Sequence, residues 1–115
     1  MTAPQLPAIV TLAERLAADR GPDGPAFSLS SGDLNVNLVR FDAGRGVPEH
    51  VNAELDVLLL GIAGQGVLEI EGVARPFGAG QLCLVPLGAR RAIRSAGGPF
   101  AYLTCHRRRG GLMPV

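Results

Sequence analysis

The chain has no lysine and no tryptophan, only two cysteines and two histidines, and aromatic side chains at 4% of its positions. Each scarcity excludes something. Two cysteines build no disulfide framework, and Cys83 and Cys105 stand singly in apolar runs without C-x-x-C spacing. Both are expected as buried free thiols. So few aromatics leave no stacking platform for single-stranded nucleic acid. A net charge of +1 supplies no bulk attraction to nucleic acid or to a membrane surface. No apolar run reaches the ~18 residues of a membrane span. The first residues lack the basic region and apolar core of a signal peptide. A soluble, cytoplasmic protein is the expectation.

What is present is aliphatic. Hydrophobic residues make up 47% of 115 positions, enough for one well-filled domain built from Leu, Val, Ile and Ala. Sixteen Gly and nine Pro imply frequent turns, which suits many short strands better than a helix bundle. Charge is unevenly spread. Residues 1–71 hold ten carboxylates and four Arg, and residues 72–115 hold seven Arg and no carboxylate. In a barrel that interleaves the two halves, this predicts cross-strand charge pairing. Arg107-Arg108-Arg109 reads as a solvated terminus and not as a nucleic-acid patch.

Residues 1–8 read as a loose arm. From Ile9, apolar residues at 9, 12, 13, 16 and 17 form one face of an amphipathic helix over 9–20, stopped by Gly21-Pro22. The period then changes to two. Leu34, Val36 and Leu38 mark a half-buried strand, and Gly44 to Pro48 reads as a break. Leu55 to Ile62 is almost wholly apolar, so both faces of that strand are expected to be covered. Strands follow over 67–71, 73–77, 81–85, 90–95 and 100–107, with Glu71-Gly72 as a tight hairpin turn. About eight strands after one helix predict an all-β sandwich or barrel. The single domain spans 1–115, with arm and helix at about 1–22 and barrel at about 26–109.

Two stretches share a frame of glycines and prolines. Gly44 is followed after five residues by His50-Val51-Asn52, and the stretch closes on Gly64. Gly80 is followed after five residues by Pro86-Leu87-Gly88, then by Arg91 and Ser95. These stretches resemble the two conserved motifs of the cupin superfamily, across roughly two-thirds of the chain. The resemblance implies a cupin jelly-roll, or double-stranded β-helix, barrel. Physically, Gly64 and Gly80 fall at turns where φ is expected to be positive, and Pro86 ends a strand.

In the family, two His and a Glu from the first motif and one His from the second hold a divalent metal. Iron, manganese, zinc and nickel are the metals the resemblance brings with it. Here His50 is kept, Asn52 stands for the second His, and Arg91 stands for the third. The Glu position falls on Asp56 or on Val57, depending on spacing, and Glu54 shares strand parity with His50 and Asn52. Arg91 cannot ligate a metal, because its guanidinium stays protonated and repels cations. It is expected to enter the barrel and pair either with Asp56 or Glu54 or with the carboxylate of a ligand. His106 lies on the last strand at the parity of Tyr102 and Thr104 and is a further candidate ligand; Tyr102 reads as packing.

The pocket candidates are therefore His50, Asn52, Glu54, Asp56 and Arg91, and the metal candidates His50, Asp56, Asn52 and His106. Two functions follow. One is a non-catalytic cupin that binds a small, anionic molecule without a tightly held metal. The other is a metal-dependent oxygenase, isomerase or lyase using His50 and a nearby carboxylate; the family also contains metal-free epimerases with a His general base, a role His50 could serve. The detached helix and the strand edges imply a homodimer, an arrangement the resemblance also carries. Neither nucleic acid nor membrane is an expected partner.

Overall fold

A computed structural model describes residues 9–19, 21 and 23–108. One helix precedes nine strands: α1 (Leu12–Ala18), β1 (Gly24–Ser30), β2 (Leu34–Phe41), β3 (Gly46–Val51), β4 (Val57–Ala63), β5 (Gln65–Ile70), β6 (Val73–Gly78), β7 (Leu82–Val85), β8 (Arg90–Ser95) and β9 (Phe100–Arg107). A five-stranded sheet in the order β1-β2-β9-β4-β7 faces a four-stranded sheet in the order β3-β8-β5-β6. The strand pairings among the described residues are antiparallel. The molecule is the all-β, two-sheet barrel with one N-terminal helix that the residue pattern predicts. The arm expected at 1–8 and the last of the three consecutive arginines, Arg109, lie outside the described residues.

The helix is shorter than its apolar period suggests. It runs over Leu12–Ala18, Thr11 gives it no side-chain cap, and none of its residues is fully buried. Arg15 lies over the Phe27 ring at 4.5 Å, which ties the helix to β1. Two strands escaped the sequence reading. β1 has little apolar alternation, and β3 carries Pro48 where a break was expected. Proline lacks the N–H a central strand needs, so it belongs at an edge or a bulge. β3 is an edge strand, and its register with β8 slips between Val47 and His50.

The core lies between the sheets. Phe41, Leu59, Leu68, Phe77, Val85, Ile93, Phe100 and Tyr102 are buried together. Phe100 meets Phe77 edge-on at 6.4 Å and stacks on Tyr102 at 5.3 Å. Glycine makes room for this cluster: a Cβ at Gly66 would run into the Phe100 ring and the Arg94 carbonyl. Gly64 and Gly80 have φ of 76° and 84°, as their turn positions require. Glu71 and Gly72 both have positive φ, and Ile70 pairs with Val73 across them, which makes the expected two-residue hairpin.

The charge-pairing expectation is corrected. Arg40 pairs with Asp19 and Asp42, and Arg45 with Asp23, all within the first 71 residues. The pair of Arg90 with Glu71 joins the acidic and basic halves. Sheet order places β2 beside β1 and β9, so the acidic loops around α1 and β2 meet their own arginines first. Cys83 and Cys105 are free thiols, half-buried and not fully so. No helix among the described residues is long and apolar enough to cross a membrane.

Candidate functional site

β3 and β8 are neighbours, and their register sets His50 opposite Arg91. The Arg91 Nε–H donates to His50 Nε2 at 3.1 Å. A guanidinium nitrogen only donates, so the imidazole nitrogen facing it must accept. The other ring nitrogen, Nδ1, lies 2.9 Å from the Pro48 carbonyl oxygen, which only accepts. Both contacts are those of the tautomer that carries its hydrogen on Nδ1.

Behind this pair lies a cavity of about 220 Å³ lined by residues of both sheets. His50, Arg91, Tyr102 and Thr104 give it polar atoms, and the core side chains Val39, Phe41, Leu59, Leu68 and Ile93 give it apolar walls. Thr104 is reached by an inward polar ladder: Ser28 Oγ donates to Asn37 Oδ1 at 2.6 Å, and Asn37 Nδ2 to Thr104 Oγ1 at 3.5 Å. Burial raises the Tyr102 hydroxyl well above its ordinary value, against a lowering pull from the Arg91 charge. Tyr102 is therefore a neutral hydroxyl throughout the physiological range. A larger hollow, about 480 Å³, opens along the seam between β6 and β7, but neither His50 nor Arg91 lines it.

The remaining candidates are placed elsewhere. Asn52 is buried, but its side-chain oxygen accepts from the Glu54 and Leu55 backbone N–H groups at 2.9 and 3.1 Å. It caps its own loop. Asp56 is exposed and accepts from the Leu87 N–H at 2.8 Å, while the Gly88 N–H donates to the Asn52 carbonyl at 2.8 Å. The residues read as ligand candidates thus fasten the first motif's loop to the second's. Glu54 is exposed, and Asn52, Glu54 and Asp56 do not line the cavity. His106 is half-buried with Nδ1 2.8 Å from the Arg107 carbonyl, and it does not line the cavity either. Arg91 donates to His50, and Asp56, which with Glu54 was its expected carboxylate partner, accepts from the Leu87 N–H. The sequence reading set Tyr102 aside as packing and gave Thr104 no role; alternation from His106 along β9 was the available signal for both.

These donors do not fit a divalent metal. The His50 Nε2 lone pair is taken by a cation, the Asn52 oxygen by two N–H groups, and Asp56 by a third. Among the described residues no three His, Cys, Asp or Glu side chains gather as a ligand set. Ser95, the last position of the second motif, is buried and donates from its hydroxyl to the Gly98 carbonyl, which makes it part of the fold.

No family model matches the chain, and no curated protein matches it. Solved structures do. A cupin-2 domain protein from Shewanella frigidimarina superposes with a TM-score of 0.75 at 13% identity, over 87% of this chain and 95% of that one. A conserved protein with a double-stranded β-helix domain from Klebsiella pneumoniae gives 0.75 at 19%, over 93% and 89%. A cupin protein from Bacteroides fragilis gives 0.69 at 19%, over 100% and 92%.

Proposed function

We propose that this chain, which has the cupin fold, binds a small organic carboxylate in its barrel cavity without a resident metal. The observation that carries the reading is the hydrogen bond from Arg91 to His50 at the cavity wall. In support, a permanent cation stands beside an imidazole at two of the positions where the family resemblance expects metal ligands. A guanidinium presents its N–H groups in a planar fork that matches the two oxygens of a carboxylate. The neighbouring apolar walls favour a ligand with a hydrocarbon body. A volume of about 220 Å³ lies below the usual range of roughly 300–1,000 Å³ for ligand pockets, so the ligand is small. Tyr102 and Thr104 supply neutral hydroxyls for orientation.

Calorimetric titration with butyrate and benzoate, against butyramide and benzamide of the same shape, tests the proposal. The carboxylates should bind and the amides should not. Arg91→Met should lose carboxylate binding by about tenfold or more, with its far-UV circular dichroism unchanged. Equal binding of acids and amides, or undiminished binding by the variant, sinks the proposal. So does stoichiometric zinc, iron or manganese held through His50 in protein purified without a chelating tag.

A further inference from the structure

β6 and β7 follow one another with only Ala79, Gly80 and Gln81 between them, yet they close different sheets. Their turn is pinned to the β4–β5 junction: the Gly80 N–H donates to the Gly61 carbonyl at 2.9 Å and the Ala79 N–H to the Gly64 carbonyl at 3.1 Å. The Gly78 N–H donates to the Gln81 side chain at 2.7 Å and closes the turn from within. Beyond it β6 pairs with β5 and β7 with β4, and the hollow of about 480 Å³ lies between their two edges.

One residue of its lining is out of character with a core. On the β5–β6 ladder Leu68 stands opposite Arg75 and Gly66 opposite Phe77. Leu68 and Phe77 belong to the core, so alternation sets Arg75 on the core-facing row of β6. A charge on such a row costs free energy when it is covered without a partner. Arg75 stays exposed at the open seam, and among the described residues no carboxylate pairs with it. Across the hollow, Cys83 stands opposite the core residue Leu59. Burial pushes its thiol up and the Arg75 charge pulls it the other way, so the guanidinium is felt on the facing strand. Ile70, Pro76 and Leu82 add apolar wall, and Leu68 is the partition shared with the smaller cavity.

We propose that this hollow is a second ligand site that takes an amphipathic anion, an unbranched alkyl chain laid between β6 and β7 with its carboxylate on Arg75. The volume falls within the roughly 300–1,000 Å³ of small-molecule pockets. The lining has the composition of such pockets, mainly hydrocarbon with a few polar groups, and its one charge is positive. The hollow runs along the edge of β7, whose four residues span about 13 Å, a length suited to an extended chain of about ten carbons. Since neither His50 nor Arg91 lines it, the site stands independently of the reading of the smaller cavity.

The two native thiols report on it, because Cys83 lines the hollow and Cys105 does not. The rates of maleimide modification at each thiol are compared with decanoate, with decanol and with neither, below micelle formation. Decanoate should slow Cys83 by about tenfold and decanol much less, with Cys105 unchanged in both. Arg75→Gln, measured against its own unliganded rate, should lose the advantage of decanoate over decanol with circular dichroism unchanged, and Arg75→Lys should keep most of it. Arg91→Met should keep it in full. Equal protection by decanol and decanoate overturns the proposal, as does protection of both thiols, no protection of Cys83, or protection undiminished in Arg75→Gln. Protection lost in Arg91→Met also overturns it, since the chain would then occupy the smaller cavity. None of these results bears on butyrate binding through Arg91, which is measured separately.

Discussion

The two ends of the barrel are held together by different physics. At one end, where β4 leads into β5 and β8 into β9, backbone packs on backbone and on aromatic rings. Ala79 N–H donates to Gly64 O, Gly80 N–H to Gly61 O and Ala96 N–H to Gln65 O, and Phe100 fills the space beneath them. At the other end, where the two motif loops meet, side-chain oxygens do the fastening: Asn52 to its own loop, Asp56 to Leu87, Glu71 to Arg90. The first end has little freedom to change. The second uses replaceable polar contacts, and the cavity's polar residues His50 and Arg91 stand beside it. Close backbone and aromatic packing marks one end, and the polar residues of the cavity stand at the other.

The largest effect is expected where the packing is tightest. Phe100 is fully buried, with Phe77 at its edge and Tyr102 on its face. Phe100→Ala should cost about 3–5 kcal/mol in urea unfolding, through lost burial and the cavity left behind. A loss below about 1 kcal/mol would mean that the two ends do not differ as described.

Asn52 sits on the boundary of the comparison and is the next in size. Asn52→Ala leaves the buried Leu55 N–H and the partly buried Glu54 N–H without their acceptor. The expected loss is about 1–3 kcal/mol. Asn52→Asp keeps an acceptor in place and should recover part of it. Carboxylate binding by Asn52→Ala, titrated below its unfolding transition, should stay close to that of the unaltered chain. A large loss of affinity with little loss of stability would return Asn52 to the site.

The same division explains what the sequence made legible. Turn glycines and strand-ending prolines act through local backbone geometry, and their spacing survives in the letters: Gly64, Gly80, Pro86 and the Glu71-Gly72 hairpin stand where the pattern put them. The alternation of β2, β5 and β9 was legible for the same reason. Side-chain partners are another matter. His50 and Arg91 were visible as candidates, but their bond to each other depends on the register of β3 with β8, and that register slips at a proline-containing edge strand. Asn52 and Asp56 occupy ligand positions of a motif, yet nothing in their identity reveals that backbone N–H groups reach their oxygens first. Charge segregation along the chain misled for a related reason, since sheet order decides which loops meet.

The smallest effect concerns Glu71, which fastens the β5–β6 hairpin to the start of β8. The Arg90 backbone N–H donates to its carboxylate at 2.7 Å, and the Arg90 guanidinium lies 3.3 Å away. Mainly the backbone bond holds this carboxyl below its ordinary value of 4.5. A carboxyl whose folded-state value is lowered binds protons more weakly in the folded chain than in the unfolded one. Its contribution is therefore complete above the unfolded value and disappears as pH falls through the folded one. The group is fully exposed, so the contribution is small and screened by salt. Glu71→Gln keeps an oxygen for the Arg90 N–H but cannot titrate. Thermal unfolding at neutral pH should place the variant slightly below the unaltered chain, and the gap should close below about pH 4. A gap that persists unchanged into strong acid would show that this end of the barrel is fastened by the shape of the hairpin, with φ positive at both Glu71 and Gly72, and not by the charge.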